Sequence, residues 1–328
     1  MDSPAQAATA RWELYRLLGE PVRLRLLALA AEEELAIGEL AELLREGQPN
    51  VSRHVAPLKK AGLLLVRKHG TRVLARLSES AERDPVVQDG VDAGRKLCEA
   101  DGSMARVADV LAQRDEGTRE FFGEARAANP DSLPSELPAY LTALAPALSE
   151  RRKLAVDAGT GAGMVLDVLA PLFEQVIAID RERVQLDLTA QRLSARGYAN
   201  VSLVGDAYDS APVRELVQEH GGADVVFASR VLHHAARPLG AVEALAKLLN
   251  PLGALVVLDY GPHDDESMRE READLWLGFS VDELSKFARR AGLNDVSVRP
   301  IPRARCGSGP DSHLVWHCLV ARRARTSR

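Results

Sequence analysis

The sequence predicts an α/β protein in two parts: a small N-terminal domain of short helices closed by a β-hairpin, and a C-terminal parallel sheet with helices between its strands. Three observations predict it. Residues 154–163 are an apolar strand that ends in Asp157 and runs into a turn with Gly159, Gly161 and Gly163. One helix-length later, Ile177-Ala178-Ile179-Asp180 repeats the pattern of apolar strand followed by an acid. Residues 48–77 hold seven basic residues and no Asp or Glu, set on helical and then strand-like spacing.

From the N-terminus, apolar residues recur at helical spacing over 22–31 and again over 37–44. A third helix is expected over 48–61, where Val51, Val55 and Leu58 form one buried stripe and Gly62 ends it. Strands over 63–66 and 73–77 then flank Arg67-Lys68-His69-Gly70-Thr71-Arg72, a hairpin with a basic tip. Residues 32–46 before this block are strongly acidic, and the chain as a whole carries −5, so the basic block is a local asymmetry. Such a block is the footprint of a nucleic-acid reader: the third helix would enter the major groove and the hairpin would meet the backbone or the minor groove. The candidate contacts are Gln48, Asn50, Ser52, Arg53, His54, Lys59 and Lys60 on the helix, with Arg67, Lys68 and Arg72 on the wing. Pro57 removes one N–H inside that helix without arguing against DNA binding.

Leu18-Gly19-Glu20-Pro21-Val22-Arg23, Ser52-Arg53-His54-Val55 and Lys60-Ala61-Gly62-Leu63 resemble the ArsR family of winged-helix repressors. The resemblance implies a homodimer on double-stranded operator DNA. It departs from the metal-responsive members at Ala36-Ile37-Gly38-Glu39-Leu40, which holds no cysteine, so thiolate metal or arsenite sensing there is excluded. Some small-molecule O-methyltransferases use such a module only to dimerise, and the seven cations argue against that reading.

Residues 84–150 show helical periodicity over 86–111, 119–128 and 137–148, broken at Asn129-Pro130 and Leu133-Pro134. They read as a connector that also serves dimerisation, with Phe121 and Phe122 as core or lid. The expected domains are therefore 1–80, 81–150 and 151–328.

In the last of these the strand–turn–helix context gives the glycine turn its meaning. Glycines let a backbone approach a ligand where a Cβ would collide, a helix over about 164–172 would offer N–H groups, and Asp180 is placed to bond both ribose hydroxyls. Counting from Gly159 or Gly161 puts Met164 or Val165 where a dinucleotide turn needs its last glycine. Asp157 would repel a pyrophosphate but welcome an ammonium group. Asp157-Ala158-Gly159-Thr160-Gly161-Ala162-Gly163 with Asp180 and Arg181 after the next strand resembles the class I S-adenosylmethionine (SAM) methyltransferases. That resemblance implies a Rossmann-like seven-stranded sheet and SAM or S-adenosylhomocysteine (SAH) as cofactor.

Further strands are expected over 201–204, 223–228 and 253–258, with 296–301 and 314–320 as an antiparallel edge pair. By the resemblance, Asp206 and the Ala207 backbone bond the adenine. The fourth strand delivers Ser229 and the pair His233-His234 to the pocket rim, and the fifth ends in Asp259-Tyr260. Leu232-His233-His234 with Pro238 resembles methyltransferases of the ubiquinone-biosynthesis type. Asp259 to Asp264, Arg269-Glu270 and Leu277-Gly278-Phe279 resemble bacterial fusions of an ArsR repressor to a methyltransferase domain, some of which sense SAM or SAH.

Methyl transfer from a sulfonium needs in-line positioning, and a base only where the acceptor carries a proton. His233, His234, His263 and Asp259 are the candidate bases. No amide- or nucleobase-methylating signature follows the fourth strand, which reads Phe227-Ala228-Ser229-Arg230.

The three cysteines, Cys98, Cys306 and Cys318, have no disulfide or zinc spacing and fit a reducing cytoplasm. Cys306, Cys318, His313 and His317 are not read as a metal site, because strand alternation sets His317 and Cys318 on opposite faces. No membrane span and no signal peptide are expected, Met1-Asp2-Ser3-Pro4 being an unsuitable start. The expected function is a DNA-binding regulator whose second domain binds SAM or SAH and adjusts DNA affinity. The alternative is an active small-molecule methyltransferase that keeps the winged helix for dimerisation or autoregulation.

Overall fold

The computed structural model describes residues 4–123 and 132–324, so the expected end of the 119–128 helix and the Asn129-Pro130 break lie outside the described residues. The chain divides into two compact units, Met1–Gln113 and Arg114–Arg328. The stretch 81–150 is shared between them.

The first unit holds α1 (Pro4–Leu18), α2 (Pro21–Glu32), the short strand β1 (Leu35–Ala36), α3 (Ile37–Leu44), α4 (Gln48–Lys60), β2 (Leu64–His69), β3 (Arg72–Leu77), α5 (Pro85–Ala100) and the start of α6 (Ser103–Phe122). Proline opens α2, α4 and α5, where its missing N–H costs nothing, and the Asp84 carboxylate caps α5 by accepting from the Val86 N–H at 2.9 Å. Val51, Val55 and Leu58 of α4 are buried against Leu26, Leu40 and Leu43 in one core, each contributing roughly 1.5–3 kcal/mol of burial. The α4 helix runs through Pro57 without a break. β2 and β3 pair antiparallel from Leu64↔Leu77 to His69↔Arg72, leaving only Gly70 and Thr71 as the turn. Arg67, Lys68 and Arg72 therefore stand on strands, where the sequence suggested a loop.

α5 crosses α2 at a glycine. A Cβ on Gly94 would lie 2.0 Å from the Leu24 carbonyl oxygen, so only glycine permits this approach.

The second unit is a seven-stranded sheet in the order β6-β5-β4-β7-β8-β10-β9. Its strands are β4 (Leu154–Ala158), β5 (Gln175–Ile179), β6 (Val201–Val204), β7 (Ala223–Ser229), β8 (Leu249–Tyr260), β9 (Leu293–Ile301) and β10 (Trp316–Arg323). The first five are parallel, and β10 lies antiparallel between β8 and β9. Helices α7 (Leu137–Leu144), α8 (Leu166–Leu169), α9 (Arg183–Arg196), α10 (Ala211–Glu219), α11 (Pro238–Lys247), α12 (Ser267–Arg271) and α13 (Val281–Arg290) make up the connections. β4 is buried throughout and β7 along all but its last residue, as parallel strands covered on both faces require. The order reverses between β4 and β7, which opens a crevice at their carboxyl ends. Among the described residues no helix is long and apolar enough to cross a membrane.

The helix expected over about 164–172 is only the four-residue α8, and residues 161–165 are turn. The glycine turn is held instead by β5: the Gly159 and Thr160 N–H groups both donate to the Ile179 carbonyl at 2.9 Å. Asp157, 1% exposed at the end of β4, accepts the Thr160 hydroxyl at 2.6 Å. Burial, and more weakly the nearby Asp180 charge, push its carboxyl up to about 7 against that hydrogen bond.

Two measurements follow from these contacts. Gly94→Ala should lower the urea stability of the first unit by about 1–3 kcal/mol despite alanine's better helix propensity, because the Leu24 backbone must move. Asp157 is protonated more readily in the folded chain than in the unfolded one, so its contribution is full below about pH 4 and lost as pH rises through about 7. Urea midpoints should fall across that window, and Asp157→Asn should flatten the fall, which amounts to roughly a few kcal/mol.

Candidate functional site

A cavity of about 850 Å³ opens at the carboxyl ends of the parallel strands in the second unit. Gly159, Thr160 and Gly161 leave β4 along one wall, Asp180 and Arg181 follow β5, Asp206 and Ala207 follow β6, and Ser229 and Arg230 end β7. His233 and His234, in a short 3-10 turn at Leu232–His234, and Tyr260 at the end of β8 continue the wall. Ten of the fourteen residues singled out for cofactor or chemistry thus line one space. Asp157, Gly163, Asp259 and His263 are not among its lining residues.

The turn needs its glycines for different reasons. Gly159 has φ +71° and its Cβ would lie 2.8 Å from Val231 Cγ2, so it closes against the loop after β7. Gly161 has φ +53° and its Cβ would meet nothing nearer than Gln185 Oε1 at 3.9 Å. The space beside Gly161 belongs to the cavity, a cradle into which backbone and ligand can meet. The Asp180 carboxylate accepts the Gly161 N–H and the Glu182 N–H, one on each oxygen, both at 2.9 Å. Burial raises its pKa, and those two bonds oppose the rise. Each oxygen keeps a lone pair for a further donor. Asp206 accepts the Ala207 N–H at 2.7 Å through Oδ1.

The histidine pair is tightly determined. The Asp259 carboxylate, 0% exposed, accepts the Leu232 N–H at 2.9 Å and the Tyr260 N–H at 2.8 Å, and lies 2.8 Å from His233 Nδ1. His233 stacks between Tyr260, ring centroids 4.3 Å apart, and His234, 4.0 Å apart, while Phe122 meets His234 edge-on at 4.8 Å. Burial lowers the His233 pKa, but the Asp259 and Asp274 charges outweigh it and hold the ring above the usual histidine range. Burial and the neighbouring His233 hold His234 well below that range. His263 has its Nε2 buried without a hydrogen-bond partner and sits outside the cavity.

Sequence reasoning missed several members. Asp115 of α6 makes a 2.6 Å ion pair with the predicted Arg181, and Gln185 Nε2 donates to the Phe122 carbonyl at 3.0 Å. These residues bring the end of α6 to the cavity, and a motifless helix gives no signal for that. Asp274, 2% exposed beside His233 Nε2 at 3.7 Å, lies in a loop with no recognisable spacing. Burial pushes its carboxyl up to about 6.

In the first unit, Gln48, Ser52, Arg53, Lys59 and Lys60 are exposed on α4 and Lys68 and Arg72 are exposed on the hairpin, while Asn50 and His54 are half-buried. Asn50 Nδ2 donates to Glu46 at 2.9 Å. Arg67 is held bidentately by Glu34, two bonds at 2.8 Å, so the acidic stretch before the block engages one of its cations.

A helix-turn-helix domain family matches residues 18–67, and a methyltransferase domain family matches residues 156–255. The HTH-type transcriptional regulator KmtR of Mycobacterium tuberculosis is 31% identical over 111 residues, which are 32% of this chain and 85% of that protein. The arsenic resistance transcriptional regulator ArsR1 of Pseudomonas putida is 34% identical over 91 residues, 27% of this chain and 71% of its own length. A solved SAM dependent methyltransferase from Aquifex aeolicus aligns with a TM-score of 0.44 at 20% identity, over 60% of this chain and 99% of that one. The basic helix and wing, followed by the seven-stranded sheet with its glycine turn, are thus those of a chain that belongs to the ArsR/SmtB family of helix-turn-helix transcriptional regulators and carries a class I methyltransferase domain fused behind them.

Proposed function

We propose that this regulator binds operator DNA as a homodimer through α4 and the β2–β3 wing, and that SAM or SAH in the second unit adjusts that affinity. The observation that carries the reading is that the cavity sets Asp180 and Asp206 at consecutive strand ends beside the Gly161 cradle, in a chain whose α4 exposes Arg53, Lys59 and Lys60. Asp180 would hold the ribose hydroxyls with its spare lone pairs, and Asp206 with the Ala207 backbone would hold the adenine. Thr160, Gly161 and Ser229 would frame the remainder of the ligand, while Asp157 braces the turn beneath it by accepting the Thr160 hydroxyl.

A ligand seated on Asp180 touches the residue next to Arg181, whose partner Asp115 stands on α6. The beginning of the same helix puts Val107 and Val110 into the core of the first unit. Ligand binding would alter DNA affinity only by favouring one conformation over the other. Exposed Trp12 and Tyr15 on α1 (65% and 53%) support pairing with a second copy, and the three buried free cysteines suit a cytoplasmic protein.

A second reading, an active small-molecule methyltransferase, is favoured by one observation: His233 lines the cavity with its Nδ1 oriented by Asp259, as a base for a proton-bearing acceptor needs. Of the other candidates, His234 also lines the cavity, His263 and Asp259 do not, and Asp259 orients His233.

Fluorescence anisotropy on the protein's own upstream DNA, alone and with saturating SAM or SAH, tests the first reading. A shift with either ligand is expected, and the larger shift names the signal. Unaltered binding in both would leave the enzyme reading in front. Arg53→Ala should weaken DNA binding by about 10- to 100-fold while leaving calorimetric SAH binding intact, and the wild-type affinity should fall steeply with salt. Asp180→Ala should do the converse, reducing SAH affinity about 10- to 100-fold through its lost charged hydrogen bonds and leaving ligand-free DNA binding unchanged.

A further inference from the structure

We propose that His233, His234 and Asp274 form a binding site for one divalent first-row transition-metal ion of zinc-like preference on the wall of the cavity. A ring nitrogen from each histidine and a carboxylate oxygen of Asp274 lie within 4.8 Å of one another. Ligand atoms about a tetrahedral ion stand roughly 3.4 Å apart, so closure takes about an ångström of side-chain adjustment. This goes beyond SAM binding and does not depend on it.

Three features of the surroundings fit a ligand set. Each histidine has its Nδ1 occupied, His233 by the Asp259 carboxylate at 2.8 Å and His234 by the Ala273 carbonyl at 3.3 Å. A carboxylate and a carbonyl can only accept, so in each neutral ring the proton sits on Nδ1 and Nε2 carries the lone pair a metal would take in place of a proton. That is how metal-bound imidazoles are oriented from behind. The second feature is Asp274 itself, 2% exposed with neither carboxylate oxygen hydrogen-bonded. Its distance of 3.7 Å to His233 Nε2 is too long for a hydrogen bond. The charge of His233 is the Asp274 carboxylate's nearest compensation, and a cation shared with both rings would supply the coordination that its oxygens lack.

The third feature is that the loop bearing Asp274 is built onto the histidine. The Leu275 and Trp276 N–H groups both donate to the His233 carbonyl, at 3.0 and 3.1 Å, and Arg269 Nη1 donates to the Asp274 carbonyl at 3.2 Å. Asp274 is therefore held beside His233 by backbone hydrogen bonds. The donor set is two imidazoles and a carboxylate with no thiolate, and two of the three ligands line the cavity. Three protein ligands with a position open to the cavity is the arrangement of exchangeable, non-structural zinc sites, and the open position would take an oxygen of a small molecule. The site differs from the Cys306, Cys318, His313 and His317 set rejected on sequence, and from any thiolate site in the helix-turn-helix region.

The full-length protein, stripped with chelator and titrated with Co²⁺ as a visible probe, tests this. One equivalent of Co²⁺ should give d–d absorption without a sulfur charge-transfer band, and Zn²⁺ should displace it. His234→Gln and the near-isosteric Asp274→Asn should each abolish the bands and weaken Zn²⁺ binding by more than about 100-fold, with circular dichroism unchanged. If one variant does not fold, the other decides. A wild-type chain that takes up no stoichiometric Co²⁺ overturns the proposal, as do unchanged bands in a folded variant. SAH calorimetry on the same stripped protein reports separately on the cofactor reading.

Discussion

The Asp259 carboxylate is the contact on which the cavity wall depends. It sits at the end of β8 with no exposed surface and gathers the Leu232 N–H, the Tyr260 N–H and His233 Nδ1. A buried carboxylate is tolerable only when such donors replace water, and here they come from the segment after β7 and from the last residue of β8. The turn after β7 is fixed by one bond and the His233 ring by another. From His233 the order spreads: its carbonyl takes the Leu275 and Trp276 N–H groups, and Trp276 Nε1 donates to the Ala235 carbonyl at 2.7 Å. Tyr260, His233, His234 and Phe122 then stand in one continuous run of ring contacts. Removing Asp259 would leave the imidazole without an oriented tautomer and would loosen the loop that hangs on it.

The other side of the cavity is held far more lightly, and that difference suits a regulator. Arg181 and Asp115 are each about one-third exposed, so their ion pair contributes of the order of 1 kcal/mol or less. Coupling between two sites in regulatory proteins commonly amounts to about 1–3 kcal/mol. On the proposed reading, a ligand on Asp180 would act on the end of α6 through this pair together with the Gln185–Phe122 bond and the Phe122–His234 ring contact.

What was legible in the sequence was whatever obeys a local rule. The apolar runs of β4, β5 and β7, the glycines of the turn, and Asp180 at a strand end are each dictated by backbone geometry within a few residues. The α8 error came from the same kind of reading: Val165, Leu166, Val168 and Leu169 are buried as a helical stripe would be. However, Gly161 and Gly163 hold positive φ, and the chain spends 161–165 in turns before one helical turn forms. The wing was misjudged because Arg67, Lys68 and His69 look like a loop by polarity, although their partners Leu74, Val73 and Arg72 pair them as strand. Arg67 shows the limit of counting charge, since its Glu34 partner is thirty-three residues away. Asp115 and Asp274 were not legible at all. One lies on a helix without motif and the other in a loop, and only long-range hydrogen bonds bring them to the cavity.

Three buried carboxylates near the histidines are satisfied to different degrees, and the contrast bears on what the site can hold. Asp259 has three donors. Asp311, 1% exposed, has one oxygen shared between the Tyr260 hydroxyl at 2.9 Å and Arg230 Nη1 at 3.1 Å. Asp274 has none on either oxygen. Protonating it would remove the charge but leave its new O–H without an acceptor. An imidazolium at His233 would supply opposite charge at 3.7 Å, yet still no hydrogen bond. An ion bound between one nitrogen of each ring and the carboxylate would satisfy both the charge and the coordination that the oxygens lack. Of the three arrangements it alone uses every group that the fold has brought together there and left unpartnered.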